Sequence, residues 1–365
     1  MLKASCVLDF IQSRSERSVH SLAFLCYNKY SFSEKGGGRM EKQNFTKELA
    51  AKLLPARNPD GHKGDFGRVS ITGGSVGFTG APVLAAYGAA RSGSGLVFLG
   101  VPEPIYGIVA SHCLEVMPSP LPAGRERISK DAFFPILERL NSCDAGLLGP
   151  GLGRSPELSK LMCKIMEETE TPLILDADGL YAIKDRKEIL QKRAARGLLT
   201  ILTPHEGEFR YLGGDLTLGR EAAALDFAKE YGCILVLKGP GTVTALQDGS
   251  CYVNPTGNNG MAKGGSGDVL GGMILGMLGQ MVAAHKHDGR YTGNSIRTEA
   301  IEQAQEDSLF LKEAGYMTAL AVYLHGLAGD LARTELGEYG MLPSDLTARI
   351  PAAILEVQKD QPHHF

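Results

Sequence analysis

From Gly67 onward, short apolar runs rich in β-branched residues alternate with amphipathic segments, the pattern of strands and helices in a mainly parallel sheet. The spacing predicts strands over Arg68–Thr72, Leu96–Val101, Ala145–Leu148, Leu173–Asp176, Thr200–Thr203 and Ile234–Lys238, each ending at Gly, Pro or Asp. Val243–Leu246 and Ser250–Asn254 flank Gln247, Asp248 and Gly249 and predict a hairpin. Helical patterns cover Phe45–Leu54, about Val269–Leu278, Thr318–Arg333 and Ser344–Val357. Met281 to Lys312 is polar, with helical periodicity only in part, and reads as a surface insertion. The expected fold class is α/β, with helices on both faces of a central, mainly parallel sheet. The expected organisation is a single domain over residues 41–358. Residues 1–40 precede it as an extension, because Ser, Arg and scattered apolar residues run there into the glycine stretch Gly36–Gly38. Met40 before a clean helical pattern favours a later translational start over a transit peptide, which Asp9 and Glu16 oppose.

Composition narrows the partners more than the fold. A formal charge of -3 gives no basic field to recruit nucleic acid or an anionic membrane. The sequence pattern shows no apolar run of the roughly 18 residues that a membrane span needs. Seven cysteines without CxxC spacing read as reduced thiols and a cytoplasmic protein. The outlier is glycine, with 46 residues and no repeat, which suggests many places where backbone turns sharply or meets a ligand closely.

In an open α/β sheet, ligands bind beyond the carboxyl ends of the strands, and three glycine turns fall there. SITGGSVGFTGAPVLAA follows the first predicted strand and opens a helix at about Thr79, with small Gly80 and Ala81 able to let a ring or ribose approach the backbone. LGPGLG contains Gly149, Gly151 and Gly153. AKGGSGDVLGG leads into an apolar helix, whose first amides and dipole suit phosphate. There Asp268 reads as a base or metal-orienting carboxylate, or else as a helix cap. Asp176 and Asp178 in LILDADGL would orient Mg2+ or water, unless Asp178 simply caps the next helix. His205, Glu206 and Glu208 in LTPHEGEF follow another strand in expectedly solvent-poor surroundings. Lys238 in LVLKGPGT would meet phosphate as a point charge, or stand solvated at its strand end.

In this order, GFTGAPVLAA, GPGLG, LDADGL, TPHEGEF, LKGPGT, GGSGD and YLHGLAGDLA resemble the NAD(P)H-hydrate dehydratases of the ribokinase-like superfamily, the bacterial ADP-dependent form above all. The resemblance spans about Phe45 to Val357. It implies a carbon–oxygen lyase that repairs the S-epimer of hydrated NADH and NADPH with ADP as co-substrate and Mg2+ as companion, releasing AMP and phosphate. It also implies nucleotide contacts at Lys238, Gly239, Pro240, Gly241 and Thr242 and at Gly264, Gly265, Ser266 and Gly267. Asp268 would be catalytic, and Ala81, Gly151, Gly153, His205 and Asp268 would hold the hydrated nucleotide. A homotetramer is expected. The epimerase domain often fused to such enzymes is not apparent in the leading forty residues, so a separate NAD(P)H-hydrate epimerase is expected as partner in the pathway. The alternatives are ATP-dependence of the same reaction, a small-molecule kinase built on the same GGSGD turn, or a nucleotide-binding protein without catalysis.

Overall fold

The computed structural model describes residues 41–287 and 300–361. Ten strands run in chain order as β1 (Glu41–Asn44), β2 (Arg68–Thr72), β3 (Leu96–Pro102), β4 (Met117–Leu121), β5 (Ala145–Leu148), β6 (Leu173–Leu175), β7 (Thr200–Leu202), β8 (Ile234–Leu237), β9 (Val243–Ala245) and β10 (Ser250–Val253). The helices are α1 (Lys47–Leu53), α2 (Gly80–Arg91), α3 (Glu103–Ala110), α4 (Phe133–Asn141), α5 (Pro156–Glu168), α6 (Asp178–Ala182), α7 (Glu188–Ala195), α8 (Glu206–Tyr211), α9 (Arg220–Tyr231), α10 (Ser266–His287), α11 (Ala300–Gly340) and α12 (Pro343–Gln358). All strands join one sheet in the order β1-β10-β9-β8-β7-β6-β5-β2-β3-β4. Pairing is parallel throughout except around β9, which is antiparallel to both β8 and β10.

The interior strands read as unbroken apolar runs because both of their faces are covered. Successive side chains alternate between two cores. Val69, Ile71, Leu147, Ile174, Ile201 and Val236 join the core beneath α2, α10 and α11. Leu148, Leu173, Leu175, Leu202, Leu235 and Leu237 join the core beneath α5, α7 and α9. The predicted interior strands therefore sit where their apolar runs place them, within one residue at each end.

The edge strands carry no such signal. β1 is Glu-Lys-Gln-Asn, and β4 contains Pro118 and Pro120, which an edge tolerates because one side of its ladder needs no donors. Helix α1 starts two residues later than its apolar pattern, at the N-cap Thr46, whose hydroxyl accepts the Leu49 N–H at 3.2 Å.

The stretch expected as a surface insertion differs more. Helix α10 runs on to His287, with Met281, Val282, Ala283 and His285 buried, and α11 begins at Ala300 and bends at Gly337. Residues 288–299 of that stretch, and the N-terminal extension, lie outside the described residues. The alternation of apolar and polar residues that marks a surface helix fades after Leu278 because α10 is packed nearly all round. Helix α10 is also long and apolar enough by itself to cross a membrane, with mean hydropathy 1.4 over its best window, contrary to the expectation that no such run exists. That window is 78% buried inside the molecule, so its apolarity is core packing.

Helices α2 and α10 lie in backbone contact. A Cβ on Gly272 would sit 1.9 Å from the Ala85 carbonyl oxygen, and one on Gly88 would sit 2.5 Å from that of Val269. Glycine on both helices thus sets their spacing and brings both N-termini to the carboxyl edge of the sheet. Replacing Gly272 with Val should force these backbones apart and lower stability by about 3 kcal/mol or more in urea unfolding. An unchanged midpoint would show that the helices can separate freely.

Candidate functional site

The first helical hydrogen bond of α10 runs from the Val269 N–H to the Gly265 carbonyl, 3.1 Å. The amides of Gly267 and Asp268 accordingly have no acceptor within the helix. Gly265, at φ +108°, makes the turn, and Ser266 is anchored on both sides. Its N–H donates to the Lys263 carbonyl at 3.2 Å, and its carbonyl lies 3.0 Å from His325 Nε2. His325 is buried on α11, and burial lowers its pKa to about 4, so the neutral ring donates to that carbonyl.

Asp268 sits in the first turn of α10, facing the ends of β6, β7 and β8. There the buried Asp176 accepts from Lys238 Nζ at 2.8 Å and from the Thr203 hydroxyl at 2.7 Å through the same oxygen. Burial opposes the charge on Lys238, but attraction to Asp176, Glu208 and Asp268 outweighs it and holds its pKa above the ordinary lysine value. Asp268 is pushed up to about 7, chiefly by burial and then by the charge of Asp176, with Lys238 pulling the other way. The result is a carboxyl group poised to gain or lose a proton near neutrality, beside a fixed cation and at a helix N-terminus.

The lysine is therefore an ion-paired, largely buried group, not a solvated one. The loop after it is held from behind. The Lys238 N–H donates to the Pro204 carbonyl at 2.8 Å, and the Thr242 hydroxyl donates to the Gly239 carbonyl at 2.8 Å. Arg220 donates to the carbonyls of Pro240 and Leu237. Arg220 is a loop-positioning residue that the motifs did not reveal, because it enters from α9 with no pattern around it.

Asp178 does not cap α6. The N-cap is Ala177, in an unusual positive-φ conformation (φ 48°), and Asp178 is the first helical residue. Its carboxylate instead accepts the Gly153 N–H at 2.8 Å and Arg154 Nε at 2.7 Å, which ties the GPGLG turn to the start of α6. These bonds engage both carboxylate oxygens of Asp178. In that turn Gly149 abuts the Asp176 backbone, where a Cβ would meet the Asp176 carbonyl oxygen at 1.8 Å. Gly151 lies against the start of α2, where its Cβ would be 3.3 Å from that of Ala81.

His205 is the N-cap of α8. Its Nδ1 accepts the amides of Gly207 and Glu208 at 3.0 and 3.2 Å, and Glu208 returns a bond to the His205 N–H at 2.8 Å. That arrangement leaves Nε2 to carry the ring proton. Far from being solvent-poor, the ring is 60% exposed. The glycine turns, Ala81, Lys238 and Asp268 thus meet along one sheet edge, and His205 extends that line outward.

A mainly parallel sheet with glycine turns and helix starts along its carboxyl edge defines the α/β class, and the fold is ribokinase-like. It superposes on a ribokinase-like superfamily protein from Enterococcus faecalis with a TM-score of 0.68 at 22% identity, over 89% of this chain and 100% of that one. A family model described as NAD(P)H-hydrate dehydratase matches residues 69–352, and the chain belongs to that family. It is 31% identical to the ADP-dependent (S)-NAD(P)H-hydrate dehydratase of Bacillus subtilis over 84% of this chain and 96% of the relative. A crystal structure of the ADP/ATP-dependent enzyme from that organism, co-crystallised with ATP and Mg2+, superposes with a TM-score of 0.66 at 28% identity, covering 87% of this chain and 100% of that one. The bifunctional NAD(P)H-hydrate repair enzyme of Moorella thermoacetica is 38% identical over 87% of this chain. The chain spans 56% of the length of that relative and 53% of its counterpart from Thermofilum pendens.

The raised pKa of Asp268 has a stability consequence. An aspartate that ionises at 3.8 when unfolded and near 7 when folded makes the native state lose stability as pH rises between those values. Asp268→Asn should therefore be more stable than the parent at pH 8, by on the order of 2–4 kcal/mol, with the gap closing toward pH 4. Parallel stability curves from pH 4 to 8 would show that the carboxyl group is not perturbed.

Proposed function

We propose that this protein dehydrates the S-epimer of hydrated NADH and NADPH with ADP as phosphoryl donor, releasing AMP and phosphate. The observation that carries the reading is the site around Asp268, a proton-poised carboxyl between the free amides of α10 and the Lys238–Asp176 pair, in a chain of this family. The similarity to the B. subtilis enzyme, over 84% of this chain and 96% of that one, supports ADP as the donor, and ATP is the alternative.

Hydroxide is a poor leaving group and phosphate a good one. In the proposed reaction the ring hydroxyl of the substrate attacks the terminal phosphorus of ADP, Asp268 takes the hydroxyl proton, and AMP departs. The lone pair of the ring nitrogen then expels phosphate, the neighbouring ring carbon gives up a proton to the departing phosphate or to water, and the dihydropyridine is restored. The Gly267 and Asp268 amides, with Gly264 and Gly265 shaping the approach, stabilise charge on the phosphoryl group in flight. Lys238, Gly239, Pro240, Gly241 and Thr242 bind the nucleotide, while Ala81, Gly151, Gly153 and His205 hold the hydrated ring and its attached chain.

Among the described residues, no cluster of three or more His, Cys, Asp or Glu side chains is placed to cage a metal. Mg2+ held by the nucleotide phosphates, with a carboxylate and its own waters, would need no such cage, and Asp176 would suit it. When bound it would supply neutralising charge to the phosphates. We further propose a cytoplasmic homotetramer, served by an NAD(P)H-hydrate epimerase that interconverts the two hydrate epimers. The family resemblance supports these points, and the five cysteines of the described region being free thiols accords with a reducing compartment.

The test mixes protein, Mg2+ and hydrated NADH with ADP or ATP and follows absorbance near about 340 nm, where the dihydronicotinamide absorbs. Recovery is expected with release of AMP and phosphate, at a rate rising with pH as Asp268 ionises around 7. Asp268→Asn should lose activity by about 100-fold or more while still binding nucleotide. Phosphate retained on an organic product would instead establish a small-molecule kinase.

A further inference from the structure

Outward from His205 lies a cleft of about 210 Å3 that the reaction chemistry leaves without an occupant. Arg154, Tyr181, His205 and Tyr211 line it, over the carboxyl ends of β5, β6 and β7. Tyr181 and Tyr211 stack with ring centroids 5.2 Å apart and planes 23° apart, and Tyr211 is 47% exposed. Lys184 Nζ donates to the Tyr211 hydroxyl at 2.9 Å, which fixes the pair at its outer end. Arg154 is the permanent cation of the lining and lies 4.8 Å from the Tyr181 ring centre. Asp178 takes its Nε, and among the described residues no bond engages its two terminal nitrogens. The carboxylate of Glu208, also in the lining, is committed to the His205 N–H and to Lys238.

We infer that this cleft receives the adenosine half of the hydrated dinucleotide, with the base against Tyr211 and the 2′-phosphate of the NADPH form on the terminal nitrogens of Arg154. The inference rests on the functional reading above. If the hydrated ring is held at Asp268, the rest of a dinucleotide must trail outward past Gly151, Gly153 and His205, and this cleft is where that path leads. The two substrate forms differ only by the 2′-phosphate, and a planar guanidinium with two free N–H-bearing nitrogens is the group best shaped to read a phosphate. An exposed aromatic ring accepts a base by stacking.

The test compares the parent with Arg154→Gln, Arg154→Lys and Tyr211→Ala in two measurements. One is titration with NADP+ and NAD+, and the other is KM for hydrated NADPH and hydrated NADH. The parent should prefer the phosphorylated form. Arg154→Gln should erase about tenfold of that preference, Arg154→Lys should restore part of it, and Tyr211→Ala should weaken both forms alike. A parent with no preference, or an Arg154→Gln variant that weakens both forms equally or neither, would overturn the assignment. Because the titration needs no turnover, a parent that binds with this preference yet fails to repair hydrates would sink the functional reading while leaving the cleft assignment standing.

Discussion

A buried ion pair between Lys238 and Asp176 holds the site together. It spans from the end of β8 to the end of β6, and Thr203, at the end of the intervening β7, completes it by donating to the same carboxylate oxygen. Such a pair is poor evidence for stability, because removing two charges from water costs about what their attraction returns. Its consequence is positional and electrostatic. It keeps a lysine ammonium in place beneath the start of α10, and its negative member, with burial, is what makes Asp268 reluctant to ionise.

Around that pair the fold arranges backbone more than side chains. Helix α10 approaches α2 so closely that Gly272 and Gly88 admit no Cβ, and Gly149 admits none against the Asp176 carbonyl. These contacts bring a helix start, a glycine turn and a strand end to one line. In the proposed reaction, the groups offered to the phosphoryl group would therefore be mostly fixed amides, which need little reorganisation when charge shifts. His325 from α11 and Arg220 from α9 brace the two glycine loops from outside, so elements distant in sequence determine how accurately those amides point.

The sequence by itself determined the interior of the sheet and the glycine turns at its edge. Buried parallel strands must be apolar on both faces, and glycine is demanded wherever backbone meets backbone, so Ile71, Leu147, Val236 and Gly149 announce their environments. The motifs around Asp268, Lys238 and His205 were legible too, since Lys238 and His205 lie directly after apolar runs and Asp268 lies directly before one. The edge strands β1 and β4 were not, because an edge asks nothing of hydrophobicity, and the full length of α10 was hidden where all-round burial erased its periodicity. Only the tertiary structure decided that Asp178 bonds the Gly153 amide instead of capping a helix, that Arg220 braces the loop after Lys238, and that Arg154 lines the cleft beside His205. Those outcomes depend on partners brought together from separate loops and helices, and a hydrogen bond between distant segments leaves no trace in the spacing of either one.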